Sequence, residues 1–329
     1  MIKHLSKISG VAAFAVIASS ASAEVAINEN LSLDGYATSA AVVTEPSAGT
    51  SKVLNDSGRP YDSAKIAVNG KYEAFTSKVS LLALTGADTG ASDSSGLLDA
   101  YVTYKTGDVS ITGGKFLSYL GYESFDTPNN AFISSGSSDY FGNYGTGAKI
   151  DYATKTYSTG FSVRDSIDGS GNFQEGDGDF SDELGYEAYF LYSGIEKLTV
   201  FLGAGYEDTK GGAEIQTYNV WASYAITDKL TLAAEYANKK DITSYSWLTQ
   251  ASYAVNDSVS VAARLTGKDS SGTDASTTTP SQRGEAFGYG LASTYTLSKN
   301  FAIKGEVTKF ENNTSADTFS YAVQGLFKF

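Results

Sequence analysis

The chain ends in "TFSYAVQGLFKF", residues 318–329, where Phe319, Tyr321, Val323, Gly325, Phe327 and Phe329 fall at every second position. Side chains of an extended strand point alternately to its two faces, so these six share one face. The same period recurs upstream. Leu31, Leu33, Gly35 and Ala37 alternate with Ser32, Asp34, Tyr36 and Thr38. Ala64, Ile66, Val68, Gly70, Tyr72 and Ala74 alternate with Lys65, Asn69, Lys71 and Glu73. Leu198, Val200, Leu202, Ala204 and Tyr206 repeat the pattern, as do Leu230, Leu232, Ala234 and Tyr236 around Thr231, Ala233 and Glu235. Val259, Val261, Ala263 and Leu265 alternate with Ser260 and Arg264. One face is apolar and ends in aromatics, and the other is small or charged.

The connections sort by length. Short ones are read at Thr76-Ser77, Thr106 to Asp108, Ala153 to Thr156, Ser193 to Lys197, Ile226 to Lys229, Asn256 to Ser258 and Leu297 to Asn300. Several carry the Gly, Asn, Asp or Ser that tight turns need. Longer ones lie at about 44–62, 87–96, 117–143, 168–183, 207–214, 238–241, 268–284 and 311–316. Short and long alternate, which predicts about sixteen strands joined by seven turns and eight loops. Pro46, Pro60, Pro128 and Pro280 all fall in the predicted loops, where a missing N–H does no harm to a sheet.

Residues 1–23 combine Lys3 and Lys7, an apolar stretch from Val11 to Ala18, and Ala21-Ser22-Ala23, the three parts of a secretory signal peptide. The expected mature chain, residues 24–329, then carries 22 basic against 37 acidic residues. That balance argues against nucleic-acid binding, which relies on Lys and Arg neutralising phosphates. The sequence has no Cys, and its one His, His4, lies in the leader. Thiolate chemistry, His-based triads and most transition-metal sites are excluded, and no cofactor is expected.

Strands of about ten residues with an apolar outer face, aromatic ends and connections that alternate in length are what a transmembrane β-barrel requires. Lipid offers no partner for backbone N–H and C=O groups, so a membrane-spanning sheet closes on itself. The expected fold is all-β: one antiparallel barrel with short periplasmic turns, long extracellular loops and both termini on the turn side. The closing strand with its terminal Phe resembles the signal read by bacterial barrel-assembly machinery, which implies that role for Tyr321, Phe327 and Phe329.

Alternation breaks at "GGKFLSYLGYESFDTPNN", residues 113–130, and returns near Tyr144. Loops longer than about 15 residues are uncommon and usually functional or disordered. This one holds Phe116, Leu117, Tyr119, Leu120, Tyr122, Phe125, Phe132, Tyr140 and Phe141, too many apolar groups for a disordered segment. A barrel of sixteen strands leaves an aqueous lumen, and this third loop is expected to fold into it.

A long third loop between strands five and six resembles the constriction loop of general diffusion porins. Gly114, Lys115, Phe116, Gly121, Tyr122, Glu123, Thr146 and Gly147 are similar to the OmpL-like β-barrel porins; the segment "GNYGTG" lacks the proline expected before the Thr-Gly. The resemblance implies a constriction formed by Lys115, Tyr119, Tyr122, Glu123, Asp126 and Asp139. It also implies a homotrimer in the outer membrane, among lipids and lipopolysaccharide.

If the apolar set faces lipid, the alternate set faces water. That assigns Lys65, Lys71, Asp99, Lys149, Asp151, Arg164, Glu187, Glu235, Arg264, Lys304 and Glu306 to the lumen, with Lys71, Arg164, Arg264 and Lys304 as pore-wall candidates. For each of these the plainer reading is a wall ion pair with a neighbouring acid; for Lys115 and Glu123 it is a solvated or paired loop charge, and for Tyr119 and Tyr122 packing against the wall. Residues 168–183 hold Asp168, Glu175, Asp177, Asp179, Asp182 and Glu183. Their spacing does not follow a dedicated calcium loop, so a solvated acidic loop is expected, and with it a weak cation preference. The expected function is passive diffusion of small hydrophilic solutes. Its rivals are a sugar- or carboxylate-specific channel, a non-conducting structural or adhesin barrel, and an enzyme with a carboxylate-only site.

Overall fold

The computed structural model describes residues 24–46, 52–53, 62–84, 94–136, 144–167, 180, 184–208, 214–240, 243–269, 285–312 and 317–329. The expected signal peptide, most of the acidic stretch 168–183, and Asp139 lie outside them. Two strand segments are only two residues long, Val25–Ala26 and Lys52–Val53. The other sixteen are β1 (Leu31–Pro46), β2 (Ser63–Tyr72), β3 (Phe75–Leu84), β4 (Ser94–Thr106), β5 (Val109–Leu117), β6 (Tyr144–Ala153), β7 (Tyr157–Arg164) and β8 (Gly185–Tyr192), followed by β9 (Leu198–Glu207), β10 (Ile215–Ala225), β11 (Leu230–Lys239), β12 (Thr243–Ala254), β13 (Val259–Asp269), β14 (Glu285–Thr296), β15 (Phe301–Asn312) and β16 (Thr318–Lys328).

Each strand pairs antiparallel with its sequence neighbours, and the ring closes where β16 meets β1, from Thr318↔Pro46 to Lys328↔Tyr36. Gly35 and Phe329 exchange both backbone hydrogen bonds, at 2.9 and 3.0 Å, so the last residue completes the seam. Closure leaves no free edge, which is the condition for a sheet in lipid.

Burial is inverted relative to a water-soluble protein. Ile66, Val68, Leu81, Val102, Ile111, Leu202, Leu232, Leu291 and Val323 are exposed on the outside, while Asn219, Thr266, Thr308 and Gln324 are buried inside. No helix of the described residues is long and apolar enough to cross a membrane.

The seven short connections fall at one end, with one correction to the expected turns. Thr76 and Ser77 lie within β3, paired with Lys71 and Gly70, and the hairpin turns at Glu73-Ala74 instead. Glu73 takes φ 50°, a left-handed conformation usually left to Gly or Asn, so turn composition pointed three residues too far along. Between β3 and β4 a bulge sets Ser80 against both Leu98 and Asp99, and both of these are buried. Gly114 adopts φ 127°, and a Cβ there would lie 2.2 Å from the carbonyl oxygen of Ala100, so only glycine fits as β5 approaches the long loop.

Because the chain is free of cysteine, the seam can be tested directly. In an Ala41→Cys, Val323→Cys variant, the paired positions on β1 and β16 are expected to form an intramolecular disulfide on mild oxidation. It would be read as a reduction-sensitive mobility shift of the denatured chain. Absence of that shift in a folded, heat-modifiable barrel would contradict the closure.

Candidate functional site: a loop bolted across the lumen

After Leu117 the chain leaves the wall and turns inward. Its first residues climb along successive strands. Glu187 on β8 accepts from Ser118 Oγ at 2.5 Å and from the Tyr119 amide at 3.3 Å. Asn219 on β10 accepts from the Gly121 amide at 3.1 Å, and Glu235 on β11 from the Tyr122 amide at 2.7 Å. Glu123 then pairs with Arg264 on β13 at 2.7 Å, both side chains almost fully buried.

The next residues meet the far side. Asp126 pairs with Lys65 on β2 at 2.8 Å and accepts from the Tyr36 hydroxyl on β1 at 3.3 Å. Lys65 also lies 3.6 Å from Asp99, which the β4 bulge brings inward. Strands β10 and β2 are eight places apart in the ring of sixteen, so Gly121 and Asp126 are tied to opposite walls. A segment anchored in that way crosses the lumen and does not run along one side of it.

The return leg is held by its backbone. Thr127–Asn129 forms one 3-10 turn. Lys304 on β15 donates to the carbonyls of Thr127, Pro128 and Asn130 at 3.5, 3.2 and 2.6 Å. Glu306, two residues on, accepts from the amides of Ile133 at 2.5 Å and Ser134 at 3.0 Å, and from the Ser134 hydroxyl. Arg264 reaches the Ser134 carbonyl at 2.9 Å and covers the Phe132 ring at 4.0 Å. Each such charge, removed from water, is stable only because charged or backbone partners replace its hydration.

Apolar contacts complete the docking. Phe125 packs on Leu82, Leu84, Leu98 and Tyr144; Phe132 on Ala262 and Ala292; Ile133 on Val42 and Ala322. Tyr119 stands 4.4 Å from the Tyr189 ring, and Tyr122 5.6 Å from the Trp221 ring. Burial first, and neighbouring carboxylates second, push both loop phenols well above their ordinary range, so they remain neutral.

Of the expected constriction residues, Tyr119, Tyr122, Glu123 and Asp126 therefore lie in the lumen-crossing segment. Lys115 does not: it is in β5, paired with Ala100 and Thr146, between the inward positions of Gly114 and Phe116. Of the wall candidates, Arg164 is fully buried against Glu187 at 2.7 Å. Arg264 and Lys304 are occupied with the loop, and Lys71 is exposed at the turn end of β2. Tyr321 and Phe327 are exposed on the outer face of β16. Glu187, Glu235 and Glu306 were legible as lumen acids, but nothing in the sequence showed that they grip backbone amides. Among the described residues no cluster of His, Cys, Asp and Glu could hold a metal ion.

Removing one partner of a buried pair costs about 3–5 kcal/mol. Arg264→Ala is thus expected to speed hydrogen exchange at the amides of Tyr122, Ile133 and Gly136 while strand amides keep their protection. Unchanged protection in the loop would show that the Glu123 pair does not hold it.

Comparison with known proteins bears on the barrel itself. The family model described as beta-barrel porin-2, OmpL-like, matches residues 63–325, and no curated protein matches the sequence. Among solved structures, OprB of Pseudomonas putida superposes with a TM-score of 0.68 at 9% identity, covering 91% of this chain and 94% of that one. The outer-membrane channel DcaP of Acinetobacter baumannii gives 0.64 at 10% identity, covering 91% and 97%. An anion-selective porin from Comamonas acidovorans gives 0.60 at 15% identity, covering 91% and 99%. At such identities the structures speak for the fold, and the family match, over most of the chain, speaks for kinship. The chain belongs to the OmpL-like β-barrel porins of the bacterial outer membrane.

Proposed function

We propose that the protein is a passive channel for small hydrophilic solutes and ions, narrowed by residues 118–136 and weakly cation-preferring. The observation that carries this reading is a polar lumen that, among the described residues, one docked loop crosses from wall to wall. Cation preference rests on the excess of acids over bases in the expected mature chain, since fixed charge sets ion preference in a pore. A homotrimer, contact with lipopolysaccharide and insertion by the barrel-assembly machinery through the C-terminal aromatics follow from the family reading.

A sugar-specific channel would need aromatic faces open to the solute. Tyr189, Phe201 and Trp221 do stack along the inner wall, at 5.8 and 5.2 Å between successive rings. Phe201 and Trp221 are buried beneath Tyr119, Leu120 and Tyr122, however, so these rings serve loop packing.

In a planar bilayer with a salt gradient, the purified protein is expected to open in steps of three and to give a small reversal potential of the sign set by cation flow. A potential of zero or of opposite sign would reject the cation preference. A correctly folded barrel that never conducts would reject the channel and leave the structural or adhesin reading.

A further inference from the structure

Most charges around the loop already have partners: Arg264 has Glu123, Arg164 has Glu187, Lys65 has Asp126 and Asp99, and Lys304 and Glu306 hold loop backbone. Two half-buried lumen residues on β6 differ. Lys149 has no carboxylate within salt-bridge distance among the described residues, and its ammonium sits 4.9 Å from the Phe116 ring and 5.0 Å from the Tyr119 ring. Among the described residues Asp151 meets phenols through Oδ1: Tyr119 at 2.9 Å and Tyr189 at 3.3 Å. Gly160 makes room for that arrangement, since a Cβ there would lie 2.5 Å from Asp151 Oδ1.

The two side chains project from one strand face, two residues apart, on the turn side of the loop's departure point. Successive residues on one face lie roughly 7 Å apart along a strand. That spacing presents a cation and an anion side by side, with the Tyr119 ring between them. A simple anion passing here would be attracted by Lys149 and repelled by Asp151, and a simple cation the reverse. A neutral polyol would engage neither charge. A small solute carrying both a carboxylate and an ammonium satisfies both at once.

We propose that Lys149 and Asp151, with Tyr119 between them, form a weak binding step for small zwitterionic solutes of the free amino acid type. The inference rests on the channel reading and names the solute class its narrow section favours. Attraction on entry with no deep trapping is what conduction requires.

The test is proteoliposome swelling in isotonic serine compared with isotonic erythritol, a neutral solute of similar size. The unmodified protein is expected to admit serine faster, and Lys149→Gln and Asp151→Asn are each expected to abolish that difference. Asn keeps an acceptor for the two phenols, and heat-modifiable mobility confirms that each variant folds. Equal rates for both solutes in the unmodified protein, or a serine advantage that survives both substitutions, would overturn the site while leaving the channel intact. No swelling in either solute would overturn the channel reading, and the site with it.

Discussion

A backbone in lipid must find all its hydrogen bonds within itself, and the rest of this structure follows from that requirement. Sixteen strands satisfy it by closing, down to the bonds between Gly35 and Phe329. Closure at that strand number leaves a lumen too wide for wall side chains to fill. Water can hydrate inward-facing Arg, Lys, Glu and Asp in such a lumen, but wherever a segment docks against them they need partners in its place. The third loop supplies them, and in doing so it crosses the space that a solute would use.

The loop is held less by its own side-chain pattern than by the wall's grip on its backbone. Glu187, Asn219, Glu235 and Glu306 take amides, while Lys304 and Arg264 take carbonyls. Such contacts fix the path of a segment with little regular structure of its own beyond one 3-10 turn. They also neutralise most of the inward charges that the loop touches, which leaves the proposed cation preference to rest on the overall excess of acids.

Strand count, the end that carries the short turns and the inward-facing parity were legible because period-two alternation is a direct projection of a two-sided sheet onto the chain. The first hairpin was misplaced because Glu73 adopts a conformation its side chain does not advertise. Lys115 was read with the loop because of its neighbours in the motif, although β5 runs on through Leu117. Arg164, Arg264 and Lys304 were legible as inward residues, but their partners were not. A wall residue and a loop amide 170 or more positions apart, as in the Glu306 contact with Ile133, leave no local signal. Likewise, the burial of Phe201 and Trp221 beneath the loop depends on tertiary packing alone.

We propose that residues 118–136, which cross the lumen, set its narrowest section. The most direct measurement is the single-channel conductance of a variant in which residues 119–135 are replaced by a short Gly-Ser linker, compared with the unmodified protein in the same salt. A loop that crosses the lumen predicts a clearly larger conductance for the variant. An unchanged conductance in a correctly folded barrel would mean that the current never passed this loop, and the constriction would have to be sought elsewhere.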